Sequence, residues 1–87
     1  MTIKFAIDTI GWVGSALVIL AYALISSQKI NSDSKMYQNL NLVGGIFLAV
    51  NTFYNGAFPS TLVNLVWIGI ATSALFSILK KKMILVK

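Results

Sequence analysis

Apolar positions along the chain gather into three runs, Ile10 to about Ser26, about Met36 to Tyr54, and Ser60 to Leu79, separated by short polar stretches. A helix needs about 20 mainly apolar residues to cross ~30 Å of hydrocarbon. The third run meets that length, and the first does once a turn before Ile10 joins it. The pattern therefore predicts helices over about 6–26, 36–54 and 60–79, with a basic tail over 80–87. The second run is the most polar, carrying Asn39, Asn41 and Asn51 with the pair Gly44-Gly45 between them. In lipid each amide needs a hydrogen-bond partner or a wet cavity, so one side of this helix is expected to face protein or water.

The links between the runs are short. In Ser27 to Lys35, Asp33 or Ser34 is placed to cap the second helix. The stretch Tyr54-Asn55-Gly56-Ala57-Phe58-Pro59 reads as a tight turn, with Pro59 beside Ser60 and Thr61 as a helix start. Neither link can hold a second domain, so residues 1–87 are read as one membrane domain. Lys4, the apolar run to Leu20 and Ala21-Tyr22-Ala23 imitate a secretory signal. Asp8, Gly11 and Gly14 interrupt its early part, and the segment is read as an uncleaved helix.

At 100° per residue the first helix groups Gly11, Ser15, Val18, Tyr22 and Ser26, with Gly14 close by. Small residues four apart let helix backbones approach, so Gly11, Gly14 and Ser15 are assigned to packing. The Tyr22 hydroxyl lines a pocket or reaches the head groups. On the second helix Asn41, Gly44, Gly45, Leu48, Thr52 and Asn55 share one broad stripe, with Asn51 at its edge. Such a stripe suits a solute path, with Gly44 and Gly45 giving room, and equally a tight interhelical seam. Asn64, one turn into the third helix among Leu62, Val63, Leu65 and Val66, is unfit to face acyl chains. Trp12 and Trp67 read as interface or packing aromatics.

Composition sharpens this picture by exclusion. Hydrophobic residues make up 57% and charged residues only 10%, against about 25% charged in soluble domains. Without Cys, His, Arg or Glu, the chain has no thiolate or imidazole metal site and no His-based nucleophile pair. It also has no disulfide framework. Asp8 and Asp33 are the only carboxylates. An enzyme, a bound metal and an organic cofactor are not expected. The net charge of +5 comes without a nucleic-acid-binding pattern, so anionic head groups at Lys80, Lys81 and Lys82 are the expected partner. With three spans, Lys29, Lys35, Lys80, Lys81, Lys82 and Lys87 lie on one side and Lys4 alone on the other. The positive-inside rule then puts the amino terminus outside and the carboxyl terminus in the cytoplasm.

The chain also resembles a known group. Ile10-Gly11, the Lys- and Ser-bearing loop from Lys29 to Lys35, Tyr54-Asn55-Gly56, Pro59, and Asn64 five residues after that proline resemble the bacterial SemiSWEET sugar transporters of the PQ-loop group, over nearly the whole chain. The resemblance implies an all-α integral membrane protein of the bacterial cytoplasmic membrane, a three-helix bundle with the third helix packed between the first two. It further implies a parallel homodimer of six helices around one central pocket, with Asn64 of both chains on a sugar hydroxyl. Two departures point to a relative with an altered or lost substrate. Ala21-Tyr22-Ala23-Leu24-Ile25 stands where the family carries Pro-Gln, and Asn51 stands where it carries a pocket Trp.

The expected function is facilitated diffusion of a small polar solute by alternating access, through a pocket ringed by Asn64, Asn51, Tyr22 and Asn41, with Tyr54, Asn55, Gly56 and Pro59 as turn or hinge. The alternative is a non-transporting membrane protein that serves as scaffold or partner-binding subunit, its asparagines forming a packing seam. Cation pores need acidic rings or carbonyl filters, and neither is visible.

Overall fold

The computed structural model describes residues 2–86 and is all-helical: α1 (Ile3–Ser26), α2 (Lys35–Tyr54) and α3 (Phe58–Val86). α1 and α3 are each long and apolar enough to cross a membrane. α2 is less apolar because Lys35, Gln38, Asn39, Asn41 and Asn51 interrupt it.

Local chemistry sets each boundary. Thr2 Oγ1 accepts from the Phe5 amide at 3.1 Å and caps α1; Ser34 Oγ accepts from the Tyr37 amide at 3.1 Å and caps α2. α1 ends in a Schellman arrangement, the Lys29 amide donating to Leu24 O at 3.0 Å and the Gln28 amide to Ile25 O at 3.2 Å. α2 ends the same way, Ala57 donating to Thr52 O at 2.8 Å and Gly56 to Phe53 O at 3.1 Å. The left-handed position is Gly56 (φ 72°) in the second case but Gln28 (φ 61°) in the first. A β-carbon at such a φ costs about 1 kcal/mol. Gln28→Gly is accordingly expected to raise stability by about 1 kcal/mol and Gly56→Ala to lower it by about as much. Reversible SDS unfolding in mixed micelles, followed by circular dichroism, checks both signs. Pro59, the second residue of α3, sits where its missing N–H removes no helical hydrogen bond.

α2 runs antiparallel to both neighbours and lies between them. Gly44 faces α1: a β-carbon built on it would stand 2.7 Å from Val18 Cγ2 and 3.0 Å from Gly14 O. Gly14 returns the contact, its own β-carbon position being 2.8 Å from Phe47 Cβ. Gly45 faces α3, 3.1 Å from Ile68 Cγ1. Consecutive helical residues point about 100° apart, so this pair gives α2 two neighbouring smooth faces. Among the described residues the backbones of α1 and α3 do not approach each other as each approaches α2.

This arrangement corrects two expectations. The central helix is α2, and α3 is not packed between the first two. The reason lies in where the small residues are: Gly69 on α3 has open space around it and no helix against it. Residues 80–86 are likewise no separate tail, since Lys80, Lys81 and Lys82 continue α3 to Val86; Lys87 lies outside the described residues. α1 starts three residues and α2 one residue earlier than expected, both end where expected, and α3 starts at Phe58 rather than at residue 60.

Among the described residues the buried apolar positions are Ala21, Ala49 and Ala71, and no large side chain is fully buried. Large apolar groups such as Trp12 (79% exposed) and Phe76 (70%) point outward. The fold is therefore small residues within and bulky apolar residues without, the reverse of a soluble core.

Candidate functional site

The amides of α2 are divided between its two seams. Asn51 Nδ2 donates to Ile7 O at 2.9 Å, crossing to α1. It lies against Gly11, where a β-carbon would come within 2.7 Å of Asn51 Cγ. Glycine at position 11 is therefore what admits the amide. On the other face Asn41, 4% exposed, accepts through Oδ1 from Trp67 Nε1 at 3.2 Å. Nearer the turn, the Thr61 and Thr52 hydroxyls meet at 3.0 Å between α2 and α3. Gln38 Nε2 donates to Ser32 O at 2.7 Å and ties the first loop to α2.

Two small crevices flank these bonds. One, of about 210 Å³, is lined by Asp8, Trp12 and Ser15 of α1 with Leu48 and Asn51 of α2. It is polar because Asn51 Oδ1 and the Ser15 hydroxyl make no hydrogen bond among the described residues, leaving an acceptor and a hydroxyl free beside the Asp8 carboxylate. Lys4 Nζ reaches the same carboxylate at 2.9 Å from one turn away. The other, of about 180 Å³, is lined by Tyr37, Gln38, Asn41 and Trp67 with Ile70 and Ala71.

The four residues expected to ring one pocket are not brought together within a chain. Asn51 and Asn41 are ten residues apart on α2, about 15 Å along its axis, and bond to different helices. Asn64 is half-buried on the α3 face that carries Thr61 and Ile68, its carbonyl 3.8 Å from the β-carbon position of Gly45, and its side chain makes no hydrogen bond among the described residues. Tyr22 is 70% exposed near the end of α1. Of the packing residues, Gly11, Gly14, Gly44 and Gly45 are buried in seams, while Ser15 is half-buried at the edge of the polar crevice. At the turn, Tyr54, Asn55 and Pro59 are exposed, and Asn55 Nδ2 donates to Asn51 O at 2.8 Å.

The sequence pattern gave Asp8 no role in a site and kept Ser15 for packing. Their signal was present: positions 8 and 15 are seven apart and fall on one helical stripe, next to the glycine that meets Asn51. Trp67 as the partner of Asn41 was not legible, because both are matched only by the antiparallel register of α2 and α3.

A family model matches residues 7–82, nearly the whole chain, and the family is uncharacterised. No curated protein and no solved structure matches.

Proposed function

This chain belongs to the family matched over residues 7–82, and we propose that it is a three-span membrane protein that passes a small polar solute through a cavity completed by a second copy of itself. The observation that carries the membrane reading is the inverted packing: alanines and glycines in the seams and bulky apolar side chains outward. A protein surface of that kind is stable against acyl chains and not against water. If α1 and α3 cross, α2 must cross with them, since only Asn55 to Ala57 separate it from α3 and it runs antiparallel along both. The lysines at one end put that end in the cytoplasm.

The polar groups left unspent support a solute path. Asn64, Ser15 and Asn51 Oδ1 have free hydrogen-bonding capacity at positions where lipid would penalise it by several kcal/mol. In a single chain Ser15 and Asn51 line an open crevice, and Asn64 is half-buried on the face of α3 that meets α2. A second copy laid against this chain would enclose them, giving a hydrated centre walled by six helices. A sugar or a similar hydroxyl-rich solute matches amide and hydroxyl groups that both donate and accept, in line with the resemblance to the SemiSWEET group.

A second reading has its own observation. Asn41 and Asn51 are both committed to interhelical hydrogen bonds, as expected of a scaffold whose amides serve packing. Uptake of labelled sugars and other small polar solutes into proteoliposomes decides between them. Saturable uptake that falls at least tenfold in Asn64→Ala, with dimers captured by cross-linking, supports the carrier. Uptake equal to that of empty vesicles across the panel overturns it in favour of the scaffold.

A further inference from the structure

A cleft with charged walls lies at the lysine-rich end, where the loop between α1 and α2 meets the last third of α3. It measures about 580 Å³ and has Lys81 and Lys82 on one wall and Asp33 on the other. Its floor is Ala74 and Ile78, with the Ser77 hydroxyl beside the lysines. We propose that this cleft binds the head group of one phospholipid bearing both a phosphate and a primary amine, the phosphate on Lys81 and Lys82 and the ammonium on Asp33. The proposal rests on the membrane reading and adds to it a defined lipid site.

Three features carry it. First, the charges are unspent: among the described residues the single ion pair is Lys4–Asp8, so neither lysine neutralises Asp33 although all three line one cleft. Two cations facing one carboxylate complement a ligand that carries an anion and a cation a few ångströms apart. Second, the wall is fixed. The Gln38 to Ser32 hydrogen bond at 2.7 Å, from a side chain only 8% exposed, holds the loop bearing Asp33. The continuation of α3 as a helix holds the lysines at set azimuths. Third, the cleft changes character along its length, from charged at the helix end to Ala74 and Ile78 towards the apolar body of α3. That gradient fits a molecule with a polar head and an acyl tail better than a soluble ion. Lys80 belongs to the same run but does not line the cleft, which separates a built site from general attraction between basic residues and a membrane surface.

The test is lipid binding to the full chain in detergent micelles, read by native mass spectrometry. The probes are phosphatidylethanolamine, phosphatidylglycerol of the same acyl chains, and soluble phosphoethanolamine. The expected result is one phosphatidylethanolamine per chain, held in preference to phosphatidylglycerol. Lys81→Gln and Lys82→Gln should each weaken both lipids about fivefold. Asp33→Asn should weaken phosphatidylethanolamine by about as much and leave phosphatidylglycerol unweakened. Lys80→Gln, an equal loss of charge, should leave both within about twofold. An equal effect of Lys80→Gln and Lys81→Gln would reduce the site to diffuse charge and overturn the proposal. So would an Asp33→Asn chain with unchanged preference, or displacement of the lipid by equimolar phosphoethanolamine, which would assign the cleft to a soluble ligand. Flotation of the same chain with vesicles after alkaline carbonate washing is scored separately: chain that fails to float refutes the membrane reading itself.

Discussion

Replacing Gly44 by valine is expected to separate α1 from α2 and to lower stability by about 3 kcal/mol. The first carbon of any side chain there would stand 2.7 Å from Val18 Cγ2 and 3.0 Å from a backbone oxygen of Gly14. Val18 is β-branched and has little rotamer freedom on a helix, and the oxygen is main chain, so neither can move aside without the helix moving. Alanine at the same position is expected to cost less, about 1–2 kcal/mol, because only one carbon is added. The matched comparison is Gly69, around which a β-carbon would meet nothing within 4 Å. Gly69→Ala should leave stability unchanged or raise it by up to about 1 kcal/mol, alanine being the better helix former. SDS unfolding of the three variants supplies the measurement. If Gly44→Val proved as harmless as Gly69→Ala, the close approach of α1 and α2 would be wrong.

The asparagines should separate into two classes when truncated. Asn41→Ala and Asn51→Ala are each expected to lower stability by about 1 kcal/mol, since each breaks a bond between helices in an apolar setting. Asn64→Ala should fall within about 0.5 kcal/mol of the native chain, having no hydrogen bond to lose. For Asn41 a double-mutant cycle with Trp67→Phe isolates the bond, with an expected coupling of about 0.6 kcal/mol. A shift in tryptophan emission should accompany Asn41→Ala, because the Trp67 indole loses its acceptor. A large stability loss in Asn64→Ala would place that residue in a seam and remove it from the proposed solute path.

Much of this architecture was legible along the chain. Three apolar runs gave three helices, and Ser34, Gly56 and Pro59 marked their ends, because caps and turns depend on residues only a few positions apart. Gly11, Gly14, Gly44 and Gly45 are all buried where two helices meet. The order of the helices was not legible. Gly44 and Gly45 form one stripe on a helical projection, and only the partners on each side show that it is two faces meeting two helices. The same ambiguity affected the amides. Asn41 and Asn51 look like one polar lining until their partners, Trp67 and Ile7, are known to belong to different helices. Tyr22 fell on the small-residue stripe by azimuth, yet it stands near the end of α1 and is exposed.

The separation of the α1 and α3 backbones also bears on how the chain assembles. Each seam joins helices adjacent in sequence, so the bundle is a pair of overlapping hairpins that share α2. Closing either one orders only a short link, and neither must wait for a distant segment. The first hairpin can therefore zip together while the residues of α3 are still being synthesised, and α3 then docks on a surface already in place. By the same logic, a break in the link between α2 and α3 would leave a two-helix unit with its glycine seam intact, able to recapture a separately supplied third helix.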